Sequence, residues 1–129
     1  MRYLTGSDIL VLHARIMEET GGIHGVRDVG LLSSIVERPK MRFGGRELYR
    51  GVFQKAAVYV QSLAQYHVFV DGNKRTAVAA SARFLYLNGY EMTATNIEVE
   101  QFVLRVVTKK LALESISEWL RIHSRRLTK

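Results

Sequence analysis

The chain has no cysteine, which excludes disulfides and thiolate metal sites and leaves it indifferent to redox compartment. Proline occurs once, at Pro39, so only one helix break is imposed by that residue. No stretch reaches the roughly 18 apolar residues of a membrane span, and the run Met1 to Asp8 lacks the apolar centre of a signal peptide. A cytoplasmic protein with no membrane partner is therefore expected. Acidic residues are scarce too: 12 Asp and Glu face 19 Lys and Arg, and the net charge of +7 suits an anionic partner such as a nucleotide, a nucleic acid or an acidic protein. Internal repeats, low-complexity segments and linkers are also missing. With 129 residues, 47% of them hydrophobic, one globular domain spanning 1–129 is expected.

What is there is mostly helical periodicity. Ser7 or Asp8 can cap a helix with Ile9, Leu10, His13, Ile16 and Met17 on one face, stopped by Gly21-Gly22. His13, on that apolar face, reads as a satisfied buried histidine. Asp28 opens a short helix with Leu31, Leu32, Ile35 and Val36 inward, and Pro39 ends it near Arg38. The segment from Glu47 to Tyr66 reads as the central helix, and Thr76 to Leu87 as an Ala-rich, buried one. Tyr90 to Thr95 is a short extended connector. Thr95-Asn96-Ile97-Glu98 is a capping box for a helix with Ile97, Phe102, Val103, Val106 and Val107 inward. Leu113 or Ser115 begins the last helix, with Ile116, Trp119, Leu120 and Ile122 inward, and Arg121 to Lys129 reads as a basic solvated tail. The fold class expected is all-α, with about six helices.

One connector is unlike the others. His67-Val68-Phe69-Val70-Asp71-Gly72-Asn73-Lys74-Arg75-Thr76 lies between the central helix and the Ala-rich one. Gly72 takes φ > 0 without penalty, and Asn73 both tolerates that region and caps helices well. Such a turn can aim backbone N–H groups inward as an anion nest, closed by the positive end of the next helix. Lys74 and Arg75 place two cations at that helix start, where the helix dipole disfavours them, and a bound anion is the simplest reason for them. Histidine is the side chain suited to proton transfer near neutrality, which makes His67 a candidate general base. Asp71 is a hard oxygen ligand of the kind that holds Mg²⁺ together with substrate phosphates. Phe69, between two valines, reads as the loop's anchor in the core. Simple phosphate binding needs neither His67 nor Asp71, so the set describes phosphoryl or nucleotidyl transfer.

This run resembles the Fic/Doc family motif, His-x-Phe-x-(Asp/Glu)-(Gly/Ala)-Asn-(Gly/Lys)-Arg, and Lys74 is similar to the Doc branch, the toxins of "death on curing" toxin–antitoxin pairs. Gly25-Val26-Arg27-Asp28 with Leu31-Leu32, Phe43-Gly44-Gly45, Lys55-Ala56-Ala57 and Leu87-Asn88-Gly89-Tyr90-Glu91 also look like that branch. Val68 stands where many Fic proteins carry Pro. The resemblance implies a compact Fic/Doc helical domain. It implies that the basic, glycine-containing segment Arg42, Phe43, Gly44 and Gly45 is a flap, in some members a β-hairpin, that positions the target.

The resemblance further implies that His67, Arg75 and Lys74 are catalytic, that Gly72, Asn73, Lys74 and Arg75 bind phosphates, and that Asp71 holds the metal. ATP and Mg²⁺ are the expected cofactors. In Doc, Lys at position 74 replaces a Gly of the adenylyltransferases and reverses the nucleotide, so that the γ-phosphoryl group meets a target hydroxyl. Elongation factor Tu is the implied substrate, a cognate antitoxin the implied inhibitor, and arrest of translation the implied outcome; nucleic acid is not expected as a partner. Two other readings compete: a Fic-type adenylyltransferase, against which Lys74 argues, and a non-catalytic basic binding module, against which His67 and Asp71 argue. The self-inhibitory pattern (Ser/Thr)-x-x-x-Glu-(Gly/Asn) is approached by Ser33 to Glu37 but fails at Arg38, which places inhibition in trans.

Overall fold

In the computed structural model, which describes Met1 to Thr128, the chain runs α1 (Gly6–Thr20), α2 (Val29–Glu37), a 3-10 turn (Arg38–Lys40), β1 (Arg42–Phe43), β2 (Arg46–Glu47), α3 (Gly51–Gln65), α4 (Asn73–Leu87), β3 (Tyr90–Met92), α5 (Asn96–Thr108), α6 (Leu113–Ile122) and β4 (Ser124–Arg126). Six α-helices carry the fold, as the periodicity implies, and the strands form two small antiparallel pairs, β1–β2 and β3–β4. Among the described residues no helix is long and apolar enough to cross a membrane.

α3 is the hub. Ala56, Ala57, Val58, Tyr59 and Val60 are all fully buried, so this stretch is covered on every side. Its alanines let α4 and α6 approach closely, while α5 and the 3-10 turn pack on its remaining flanks. α4 follows a seven-residue connector and folds back along α3, burying Ala77, Ala80, Phe84 and Leu85 and leaving Arg83 and Tyr86 exposed. α1 crosses beneath the connector, and its buried Ile9, His13 and Met17 fall at helical spacing.

Several boundaries differ from the sequence reading, each for a local reason. α1 is capped by Thr5 and not by Ser7 or Asp8, because the Asp8 carboxylate accepts from Thr5 N–H while Thr5 Oγ1 accepts from Asp8 N–H. Pro39 ends α2 but sits inside a 3-10 turn, where its fixed φ is tolerated. α3 begins at Gly51 and not at Glu47, since Glu47 is used in pairing with Arg42. The Thr95–Glu98 capping box is present as read. Ile97 and Ile122, expected inward, are 68% and 61% exposed.

The carboxyl-terminal segment is not wholly a solvated tail. Ser124–Arg126 pairs with Tyr90–Met92, and Arg125 forms an ion pair with Glu91. His123 stacks on Trp119, which stacks in turn on Phe102 at 3.8 Å. Lys129, counted with the basic tail, lies outside the described residues.

Candidate active site

The connector between α3 and α4 is built from its own side chains. α3 ends at Gln65 with Tyr66 as its C-cap, and His67 follows with φ 52°, a left-handed conformation in which histidine is one of the few enriched non-glycine residues. That kink turns the chain inward: Val68 and Phe69 are buried, while His67, Val70 and Asp71 remain exposed. Phe69 is indeed the anchor. Its ring stacks on His13 at 3.8 Å and 7°, and its backbone bridges to Val26. Arg27 and Asp28 N–H groups both donate to the Val68 carbonyl, and Val70 N–H donates to Gly25 O, so the loop after α1 and the motif loop hold each other.

Asn73 closes the turn from inside. Its Oδ1 accepts from Phe69 N–H and its Nδ2–H donates to Phe69 O, both at 2.9 Å. Asn73 is therefore the first residue of α4 and a cross-loop clamp, while the N-cap position is held by Gly72 with φ 78°. Gly72 suits the position by its positive φ, and a Cβ there would also lie 2.2 Å from Met17 Cε, so the end of that side chain would have to move.

Asp71 is pinned without being consumed. Its Oδ2 accepts from Ile23 N–H at 3.1 Å and its Oδ1 from Gly72 N–H at 2.8 Å. Those two amides, chiefly that of Ile23, hold its carboxyl below the usual carboxylate range, with the Arg75 guanidinium adding to the effect. The backbone carbonyl of the same residue accepts from His13 Nε2–H at 2.8 Å. His13 is thus a satisfied buried histidine, as read, and it also supports the loop from below.

Gly72 N–H is directed at Asp71, so the amides open to a ligand begin at Asn73 and belong to the first turn of α4. That turn has no side-chain cap and no acidic residue, and Lys74 and Arg75 on it are exposed. Unanswered amides beside two cations make this helix start the anion-receptive point of the loop.

Beside it runs a groove of about 730 Å³ between α1, α4 and α5. Lys74 and Arg75 stand in its lining, and Ile16, Val78, Val103 and Leu104 make its walls mainly apolar. His67 and Asp71 are not in that lining, so the structure separates an apolar groove from the reactive loop and joins the two through the cations. No cluster of three or more His, Cys, Asp or Glu that could hold a metal ion exists among the described residues.

The flap segment is a hairpin. Arg42 pairs with Glu47 and Phe43 with Arg46, and Gly44 and Gly45 form the turn with φ 58° and 78°, the pair of positive values a type I′ turn needs. Arg42 Nη2–H donates to Gly45 O across the turn. Phe43 is 81% exposed, so it anchors nothing within the chain. Glu37, the acid of the near-miss inhibitory pattern, pairs with Lys40 at 3.7 Å.

Sequence reasoning left three supports of this region without a role: Met17 under Gly72, the Asn73 clamp on Phe69, and Lys55. The signal for Lys55 was present, since it is a charge directly before the apolar run Ala56 to Val60.

A model of the Fic/DOC family matches residues 3–85, which includes the hairpin and the whole motif loop. The chain is 40% identical over 118 residues to Toxin Doc of Mycolicibacterium smegmatis, covering 89% of this chain and 88% of that protein. It is 28% identical over 121 residues to Protein kinase doc of Escherichia phage P1, covering 94% of each.

Proposed function

The chain belongs to the Fic/Doc family, and on that premise we propose that it is a Doc-type toxin, a protein phosphotransferase moving the γ-phosphoryl group of ATP to a hydroxyl of a translation factor, elongation factor Tu first among them. The observation that carries this reading is the motif loop itself: His67 and an ionised Asp71 flank an uncapped helix start that bears Lys74 and Arg75. The name of the phage relative, Protein kinase doc, points to the same reaction class.

The chemistry follows from what each group can do. His67, exposed at the end of α3, takes the proton of the target hydroxyl as its oxygen attacks the γ-phosphorus and the bond to the β-phosphate oxygen breaks, releasing ADP. The free amides of the α4 first turn with Lys74 and Arg75 hold the phosphates and offset the charge they develop. Asp71 fits a Mg²⁺ ligand: it is ionised and exposed, and each oxygen accepts one hydrogen bond and so keeps a lone pair. Bound Mg²⁺ supplies charge neutralisation between phosphates. The hairpin at Arg42, Phe43, Gly44 and Gly45 receives the target segment. Lys74, in place of the glycine of the adenylyltransferase motif, favours the γ-phosphoryl over the nucleotidyl group.

A cognate antitoxin is the partner in trans. The apolar walls of the groove, ending at Lys74 and Arg75, suit a short amphipathic segment that covers the cations and so keeps phosphates out. Glu37, paired with Lys40, supplies no internal substitute. The setting is the cytoplasm, where the translation machinery is found.

The test is intact-mass spectrometry of elongation factor Tu after incubation with the protein, ATP and Mg²⁺. A gain of about 80 Da, lost with His67→Ala, is the expected result. A gain the size of AMP would replace the reading with nucleotidyl transfer, and no gain on any translation factor would leave a binding module.

A further inference from the structure

Lysine is almost never fully buried unless its ammonium is answered, and Lys55 is 1% exposed in the amino-terminal part of α3. Its three donors meet three acceptors: Tyr49 O at 2.7 Å, Pro39 O at 3.3 Å and Glu47 Oε1 at 3.3 Å. These acceptors are not a random set. Pro39 lies just before the hairpin's first strand, Glu47 ends its second, and Tyr49 follows it. One buried charge therefore gathers both legs of the hairpin onto α3.

A second cation works beside it. Arg38 donates from Nε to Tyr49 Oη at 3.1 Å, from Nη1 to Ser62 Oγ at 2.6 Å and from Nη2 to Gln61 Oε1 at 2.8 Å. Leu48 N–H donates to Met41 O at 2.9 Å and closes the hairpin's base. The stem is thus bonded to α3 from Lys55 to Ser62, and α3 ends directly before His67. Beyond the base the hairpin touches little: Phe43 is 81% exposed and neither strand buries a residue. The tethered stem thus carries an exposed aromatic with no partner among the described residues.

We propose that Lys55 is a positioning residue: it clamps the hairpin to α3, so that the contact face around Phe43 and the base His67 are parts of one rigid body that receives a protein substrate. The identity of that substrate rests on the phosphotransferase reading; the clamp does not. Without the ammonium, Pro39 O and Tyr49 O lose their shared donor and the legs are free to part, while the motif loop, held by Asn73, His13 and Asp71, is untouched.

Hydrogen exchange of the amides from Met41 to Leu48, read against those of α4, tests the clamp in Lys55→Met, Lys55→Arg and Glu47→Gln. In Lys55→Met the hairpin amides are expected to exchange about 10-fold faster or more while α4 is unchanged; Lys55→Arg restores part of the protection. Glu47→Gln, which removes only the charge of the half-exposed partner and leaves no buried void, gives a smaller change of the same sign and carries the test if Lys55→Met does not fold. In transfer assays KM for elongation factor Tu rises about 10-fold in Lys55→Met, with kcat and the KM for ATP within about 2-fold of the parent. Unchanged hairpin exchange in both Lys55→Met and Glu47→Gln, or equal acceleration in α4, overturns the proposal, as does a fall in kcat alone. If the parent protein transfers nothing to elongation factor Tu, the substrate reading fails and the exchange result still decides the clamp.

Discussion

Two glycine-bearing, basic connectors lie on either side of α3, and they are stabilised in opposite ways. The motif loop after α3 sinks its own residues into the core: Val68 and Phe69 are buried, Asn73 bonds back to Phe69, and Met17 fills the space under Gly72. The hairpin before α3 buries none of its residues and is held from below by Lys55 and Arg38. The motif loop is thus packed from within. The hairpin keeps its side chains outside and borrows its rigidity from α3 and the 3-10 turn.

The contrast should be sharpest at the two phenylalanines. Phe69→Ala is expected to cost about 3–5 kcal/mol in denaturant unfolding, since it empties a core site and unstacks His13. Phe43→Ala should change stability by less than about 0.5 kcal/mol, because an exposed ring has little to lose on the folded side. Near-equal costs would break the comparison.

The glycines give the next largest difference. Gly72→Ala meets both a left-handed φ and Met17, and should cost about 2–4 kcal/mol by thermal or chemical denaturation. Gly45→Ala shares the φ of 78° but has nothing within 4 Å of its Cβ, so about 1 kcal/mol is expected. Asn73→Ala, which strands Phe69 N–H and C=O, should fall between them at about 1–3 kcal/mol.

The smallest effect is electrostatic. Asp71 has a lower pKa in the folded chain than in the unfolded one, so as pH falls the unfolded chain takes up this proton first. Its contribution is therefore fully present above the ordinary carboxylate range, near 3.9, and is lost as pH falls through the folded value. Unfolding midpoints measured from pH 6 down to pH 2 should drop less steeply in Asp71→Asn than in the parent. Equal slopes would mean that the Ile23 and Gly72 amides stabilise the carboxylate no better than water does.

Much of this protein was legible in one dimension. Apolar spacing at three and four residues specifies six helices because side-chain burial on one face is a local, periodic requirement. The capping box at Thr95 and Glu98 is local as well. His67, Asp71, Lys74 and Arg75 are chemically conspicuous in sequence because their residue types are poor packing choices, and the fold does gather their loop at one helix start. What the sequence left open was decided by contacts between distant segments. Ile23 N–H reaches the Asp71 carboxylate across 48 residues and His13 reaches its backbone carbonyl across 58, and together they pin the residue. Glu47 reads as helix until Arg42 is seen opposite it. Lys55 reads as a lapse in an apolar face until Pro39, Glu47 and Tyr49 are brought to its ammonium. Helical periodicity is settled within a turn or two of chain, whereas a buried charge is settled only by the partners that folding delivers to it.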